Sequence, residues 1–210
     1  MKIEETTGTV AGIPAEPERA TLEGKNKVLG FWLFICAETT LFATLFGAYL
    51  SLKGANMGGP TQAELFKMPL VASSTLILLV SSLTSVLAIT AMRHNQASRM
   101  TGWFLVTILL GAAFLTLEIY EFIEYVHEGH TFTGSAFGSS FYLLLGTHGC
   151  HVLFGFFWIL SLIIQGRREG ITVHTAPKFY VASLYWHFVD LVWVFIFTVV
   201  YLAGMTTGLT

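Results

Sequence analysis

The sequence predicts an all-α polytopic membrane protein, a bundle of five transmembrane helices. Composition is the first sign: of 210 residues, 54% are hydrophobic and only 11% are charged, against about 25% charged in a soluble domain. The second is that the apolar residues fall in five continuous runs, each near the ~20 residues that a bilayer core requires. The third is that these runs do not alternate apolar with polar residues over segments of about ten, as barrel strands would.

The elements follow in order. Residues 1–27 are polar, carry Pro14 and Pro17, and contain no apolar run. They lack the apolar core of a signal peptide and read as a flexible cytoplasmic tail. The spans then run over about Val28–Leu50, Pro69–Met92, Trp103–Tyr125, Phe137–Gln165 and Phe179–Ala203. The second has no charge between Lys67 and Arg93, and the third gains acids in its last turns. The connections are short, so residues 28–210 form one transmembrane domain with no room for a second and no internal repeat.

Lysine and arginine set the expected orientation. Lys2, Arg19, Lys25, Lys27, Arg93, Arg99, Arg167, Arg168 and Lys178 fall on one side of a five-span topology. Only Lys53 and Lys67 fall on the other. Basic residues concentrate on the cytoplasmic side, which puts the N-terminus inside and the C-terminus outside. An even number of spans would erase the asymmetry. The net charge of −2 gives no footprint for nucleic acid. The two cysteines, Cys36 and Cys150, lie inside spans, so no structural disulfide is expected. There is no Gly-rich phosphate loop, nucleophile elbow or C-x-x-C pair.

Function must therefore lie in the polar groups at membrane depth. An ionised side chain at a helix centre there costs roughly 2.5 kcal/mol or more. Glu38 sits in the middle of the first span. It reads either as part of a proton or ion relay that carboxyl-selective reagents would reach, or as a protonated carboxyl bonded to a neighbouring helix or a lipid head group. Glu118, Glu121 and Glu124 recur at i,i+3, with His127, Glu128 and His130 beyond them. Glu124 and His127 form one E-x-x-H element, but a di-iron bundle needs a second such element and two further glutamates. The plainer reading is an acidic rim, with Glu118 buried against another helix. His148 and His151 in the fourth span and His187 in the fifth are three intramembrane histidines, which as haem or copper ligands would make a cofactor site. Close packing beside Gly146, Gly149 and Gly155, with hydrogen bonds to the acids, is the competing reading. His187 and Asp190, also i,i+3, share one face of the fifth helix.

Four stretches, GFWLFICAETTLFATLF, LEIYEFIEYVHEG, GSSFYLLLGTHGCHVLFG and SLYWHFVDLVWVFIFTVVY, together resemble subunit III of the haem–copper terminal oxidases in its five-helix bacterial form. TLEGKNK and TAPKFYVASLYWHF resemble the cytochrome c oxidases of the caa3 type most. The resemblance implies a non-catalytic subunit of a bacterial cell-membrane complex that oxidises cytochrome c, reduces oxygen to water and pumps protons. It implies haems and copper in partner subunits and none in this chain, with bound phospholipid. The implied partners are subunit I in direct contact, subunit II, and a small subunit IV. By position in the motifs, Glu38 matches the family's carbodiimide-reactive carboxylate. Glu118, His148, His151, His187 and Asp190 match interior polar residues with structural, lipid-binding or proton-uptake roles. Two other readings remain: the same subunit in a menaquinol oxidase, and a stand-alone proton or ion transporter, which no inverted repeat or broken helix supports.

Overall fold

A computed structural model describes residues 9–10, 13–54, 68–127 and 132–203. Five long helices carry the fold: α1 (Leu22–Leu52), α2 (Met68–Arg93), α3 (Ala97–His127), α4 (Ala136–Glu169) and α5 (Ala176–Ile196). The last continues as a π-helical stretch, Phe197–Leu202. All five are long and apolar enough to cross a membrane. The other paired backbone is a two-residue antiparallel ladder, Thr9–Val10 on Ile13–Pro14.

Helix ends depart from the expected ones where local chemistry extends them. The first helix begins at Leu22, six residues before Val28, because Thr21 caps it. The Thr21 Oγ1 accepts the Gly24 amide at 3.0 Å, satisfying one of the donors that a helix start leaves free. Ser135 caps α4 in the same way, accepting from Gly138 N at 2.9 Å. Only His94–Gln96 separate α2 from α3, and Asn95 takes the left-handed φ of 56° that this tight reversal needs.

The segment before α1 is also more built than a polar tail suggests. Glu18 is fully buried, and its Oε1 accepts from Arg93 Nε at 3.1 Å and Nη2 at 2.5 Å. Arg93 and Arg19 each lie 5.9 Å from the Tyr180 ring centroid, within cation–π range. The Gly24 backbone lies so close to Glu18 that an added Cβ would stand 2.5 Å from its carbonyl oxygen. The start of α1, the end of α2 and the start of α5 are thereby tied together at one end of the bundle.

At the centre stands α5, packed on α1, α2 and α4 and meeting α3 through its rings. Trp186 and Trp193 are both buried. A Cβ at Gly111 of α3 would stand 2.6 Å from the Trp186 ring, and one at Gly155 of α4 would stand 3.1 Å from it. Gly166 seats Phe179 in the same manner, at 2.6 Å. The outward faces carry Leu33, Leu76, Leu109, Phe157 and Phe195, all exposed, as lipid-facing surfaces require. Cys36 and Cys150 are free and exposed on those faces.

These contacts make a prediction. Gly111→Leu or Gly155→Leu should each destabilise the bundle by about 1–3 kcal/mol through overpacking. Gly30→Leu, where a Cβ meets nothing within 4 Å, should leave thermal melting unchanged.

Candidate functional site: polar contacts inside the bundle

The polar side chains at membrane depth divide into three groups. The first joins α1 to α4. His151 Nε2 lies 3.1 Å from Glu38 Oε2, and His151 Nδ1 lies 2.7 Å from the Thr147 carbonyl. A carbonyl only accepts, so Nδ1 carries a hydrogen. The Nε2–Oε2 contact then holds one shared proton, on the carboxyl of a neutral pair or on the ring of an ion pair; both arrangements are neutral overall. Phe42 packs edge-on to the imidazole at 5.1 Å, and Tyr185 Oη donates to the His151 carbonyl at 3.0 Å. Both side chains of the pair keep a partial exposure, 17% for Glu38 and 20% for His151.

The second group joins α2 to its neighbours through hydroxyls. Trp186 Nε1 donates to Ser81 Oγ at 2.9 Å and Trp193 Nε1 to Thr75 Oγ1 at 3.0 Å. Ser85 pairs with Ser183 at 2.7 Å, and Thr84 with Thr107 at 2.8 Å. Asp190 is buried, and among the described residues neither its Oδ1 nor Ser82 Oγ of α2 has a hydrogen-bond partner. His187, one turn earlier, is half-buried and makes no hydrogen bond to Asp190, although the two share a helix face.

The third group lies near the far end of α3 and α4. Glu118 is buried, and its carboxyl stands against Gly149, where a Cβ would lie 3.0 Å from Oε2. Glu118 also lines a cavity of about 480 Å³ between the two helices. Glu121 is buried as well, at 2% exposure. It was expected only as part of an acidic rim; its i,i+3 spacing from Glu118 was the available signal. His148 is fully buried, stacked on Trp193 at 5.3 Å and edge-on to Phe114 at 5.9 Å. Among the described residues neither of its ring nitrogens has a hydrogen-bond partner. The expectation that the histidines bond to the acids therefore describes His151 and not His148, whose ring is held by aromatic contact.

The three histidines do not converge. His151 turns to α1, His148 packs against Phe114 and Trp193, and His187 of α5 takes part in neither contact. Among the described residues no group of three or more His, Cys, Asp or Glu side chains is placed to hold a metal ion. Glu128 and His130 lie outside the described residues.

The family described as cytochrome c oxidase subunit III matches residues 18–205 of the sequence, the whole of the helical bundle. The chain belongs to that family. It is 63% identical over 198 residues to cytochrome c oxidase subunit 3 of Bacillus sp. (strain PS3), covering 94% of this chain and 96% of the relative. Identity to the protein of the same description from Bacillus subtilis (strain 168) is 58%, with the same coverage. Quinol oxidase subunit 3 of Bacillus subtilis (strain 168) is 48% identical over 182 residues, covering 87% of this chain and 89% of the relative. This family member is thus a multi-pass membrane protein, subunit III of a terminal oxidase, and part of a multi-subunit oxidoreductase complex.

The Glu38–His151 contact can be measured. Glu38→Gln should retain it, because a Gln amide can donate to a neutral His151 Nε2, so assembly stays near wild type. His151→Leu should lower stability by about 0.6–1.7 kcal/mol, the range measured for hydrogen bonds between membrane helices. A double-mutant cycle of Glu38→Leu with His151→Leu, each of which removes the contact, on the melting of the purified complex would show coupling within that range; independent effects would mean that the pair does not join the helices.

Proposed function

We propose that this subunit III is a non-catalytic scaffold of a cytochrome c oxidase. It packs directly against subunit I, in one complex with subunit II and a small subunit IV. It holds phospholipid beside subunit I and supports proton uptake at the cytoplasmic face. Haems and copper belong to the partners, which oxidise cytochrome c, reduce oxygen to water and move protons outward. The N-terminus is cytoplasmic and the C-terminus is outside.

One observation carries this reading. The intramembrane histidines of α4 are held by contacts within this chain: His151 with Glu38 of α1, and His148 with Trp193 of α5. The histidines that a haem or copper would need face different neighbours. Such contacts suit a helix-packing role, because association in lipid relies on close packing and interhelical hydrogen bonds. Glu38, Glu118, His148, His151, His187 and Asp190 accordingly organise the bundle and its lipids. Glu38 is the candidate for proton uptake, since its contact with His151 holds a proton at a site of partial exposure.

The 48% identity to a quinol oxidase subunit supports a second reading, in which the same scaffold serves an oxidase that takes electrons from menaquinol. The discriminator is subunit II: a Cys/His/Met copper site and a fused cytochrome c domain, found by mass spectrometry of the native complex, mark the cytochrome c enzyme.

Two outcomes test the scaffold role. The purified chain should show no haem Soret band and bind no stoichiometric copper. Asp190→Ala, which truncates a buried side chain of the central helix, should make subunit III dissociate about three- to tenfold more readily, on the scale of single polar interactions in membrane bundles, while turnover per intact complex stays near wild type. A complex that assembles fully but transfers no electrons would contradict the assignment.

A further inference from the structure

His187 differs from the other histidines at membrane depth. Unlike His151 it has no partner: among the described residues its ring makes no hydrogen bond and no ring contact. Unlike His148 it is not shut inside the bundle. The residue is half-buried, and neither of its nitrogens is sealed from the surface as both of those of His148 are. It stands on the outward face of α5. At helical spacing that face continues with Leu191 and Phe195, each 55% exposed, and with Thr198, whose hydroxyl turns back to the Val194 carbonyl at 2.8 Å. His187 is therefore the polar group of this face that still has a donor and an acceptor to offer.

The face lies between α1 and α2. On one side of it Phe188 and Phe195 meet Phe42 and Phe46 of α1, with ring centroids 6.3 and 6.5 Å apart. On the other side Ser183 pairs with Ser85 of α2 at 2.7 Å. The membrane span of α5 with its π-helical end is Ala176–Leu202. Its middle falls at Val189, two residues or about 3 Å from His187. The hydrocarbon core is about 30 Å thick, so lipid head groups stand about 15 Å from its centre. Acyl tails carry no donor or acceptor, and a polar group left unpaired among them is costly. The group that removes this cost must itself be held at mid-membrane. A side chain on another transmembrane helix has that property, and a lipid head group does not.

We propose that a transmembrane helix of subunit I docks on the α5 face around His187, bringing a hydroxyl, amide or carboxyl side chain that hydrogen-bonds the His187 ring. The site rests on the proposed direct contact with subunit I and assigns the face on which that contact is made. Leu191 and Phe195 supply the apolar surface that the docking helix covers. His187 is thus the intramembrane histidine whose partner lies in another chain.

The test uses the whole oxidase complex in nanodiscs. With p-benzoylphenylalanine in place of Leu191, irradiation should link subunit III to the middle of a helix of subunit I, read by mass spectrometry of the joined peptides. Capture of lipid alone, or of a second copy of this chain, would overturn the proposal. His187→Leu should make subunit III leave the complex about three- to tenfold more readily on dilution into detergent, the scale of one hydrogen bond between membrane helices. His187→Gln, whose amide keeps a donor and an acceptor, should hold retention within twofold of wild type. Equal retention of wild type and His187→Leu would overturn the proposal, as would a loss in His187→Gln as large as that in His187→Leu. If His187→Leu fails to assemble, the Leu191 crosslink and His187→Gln still decide. A complex that retains subunit III in full while the Leu191 probe takes only lipid would sink this face and leave the scaffold role standing. Absence of subunit I from the purified complex would sink the scaffold role itself.

Discussion

The bundle depends on the seating of Trp186. Its indole lies between Gly111 of α3 and Gly155 of α4, at distances where any side chain would intrude, and its Nε1 reaches Ser81 of α2. One residue of α5 therefore fixes the spacing of three other helices. Lipid tails are as apolar as leucine, so burying apolar surface gives little drive for helices to associate in a membrane. Close approach must come from shape, and a large ring set on two glycines provides it. Phe179 on Gly166 repeats the device toward the Arg-rich end of the bundle.

The polar contacts gain their meaning from that frame. Once the glycines bring the backbones close, short side chains can reach across: Ser85 to Ser183, Thr84 to Thr107, and Trp193 to Thr75. Each replaces a polar group that would otherwise face hydrocarbon unpaired. Glu38 with His151 does the same between α1 and α4, as a neutral unit that avoids placing a lone charge at depth. Not every buried polar group is paired in this way: the His148 ring is held by stacking on Trp193 and its nitrogens gain no bond, and Glu118 Oε1, Asp190 Oδ1 and Ser82 Oγ likewise have no partner among the described residues. The chain thus spends its intramembrane polarity on organisation, as expected of an oxidase subunit whose redox chemistry belongs to its partners.

Much of this was legible in the residues. Five spans follow from apolar run length alone, because a bilayer sets one length for every helix. The buried standing of Glu118 and the likeness of the H-G-C-H-V and Y-W-H-F-V-D stretches to subunit III also came from sequence. The packed role of Glu18 did not. A glutamate among Pro, Glu and Arg reads as solvated, and only the return of Arg93 at the end of α2 gives it a buried partner 75 residues away. Glu121 was misplaced on the rim because i,i+3 spacing places it on the Glu118 side of α3 without saying how far the neighbouring helices extend.

The sequence by itself determined that the chain crosses a membrane five times, which family it resembles, and which ionisable groups lie at depth. These are one-dimensional properties, set by run length, charge and motif. Tertiary structure alone decided the pairings: Glu38 with His151 rather than with lipid, His148 with Trp193 rather than with an acid, and the Glu118 carboxyl against Gly149. Helical periodicity gives a residue its face, but the identity of the facing helix depends on how glycine notches and aromatic rings lock together.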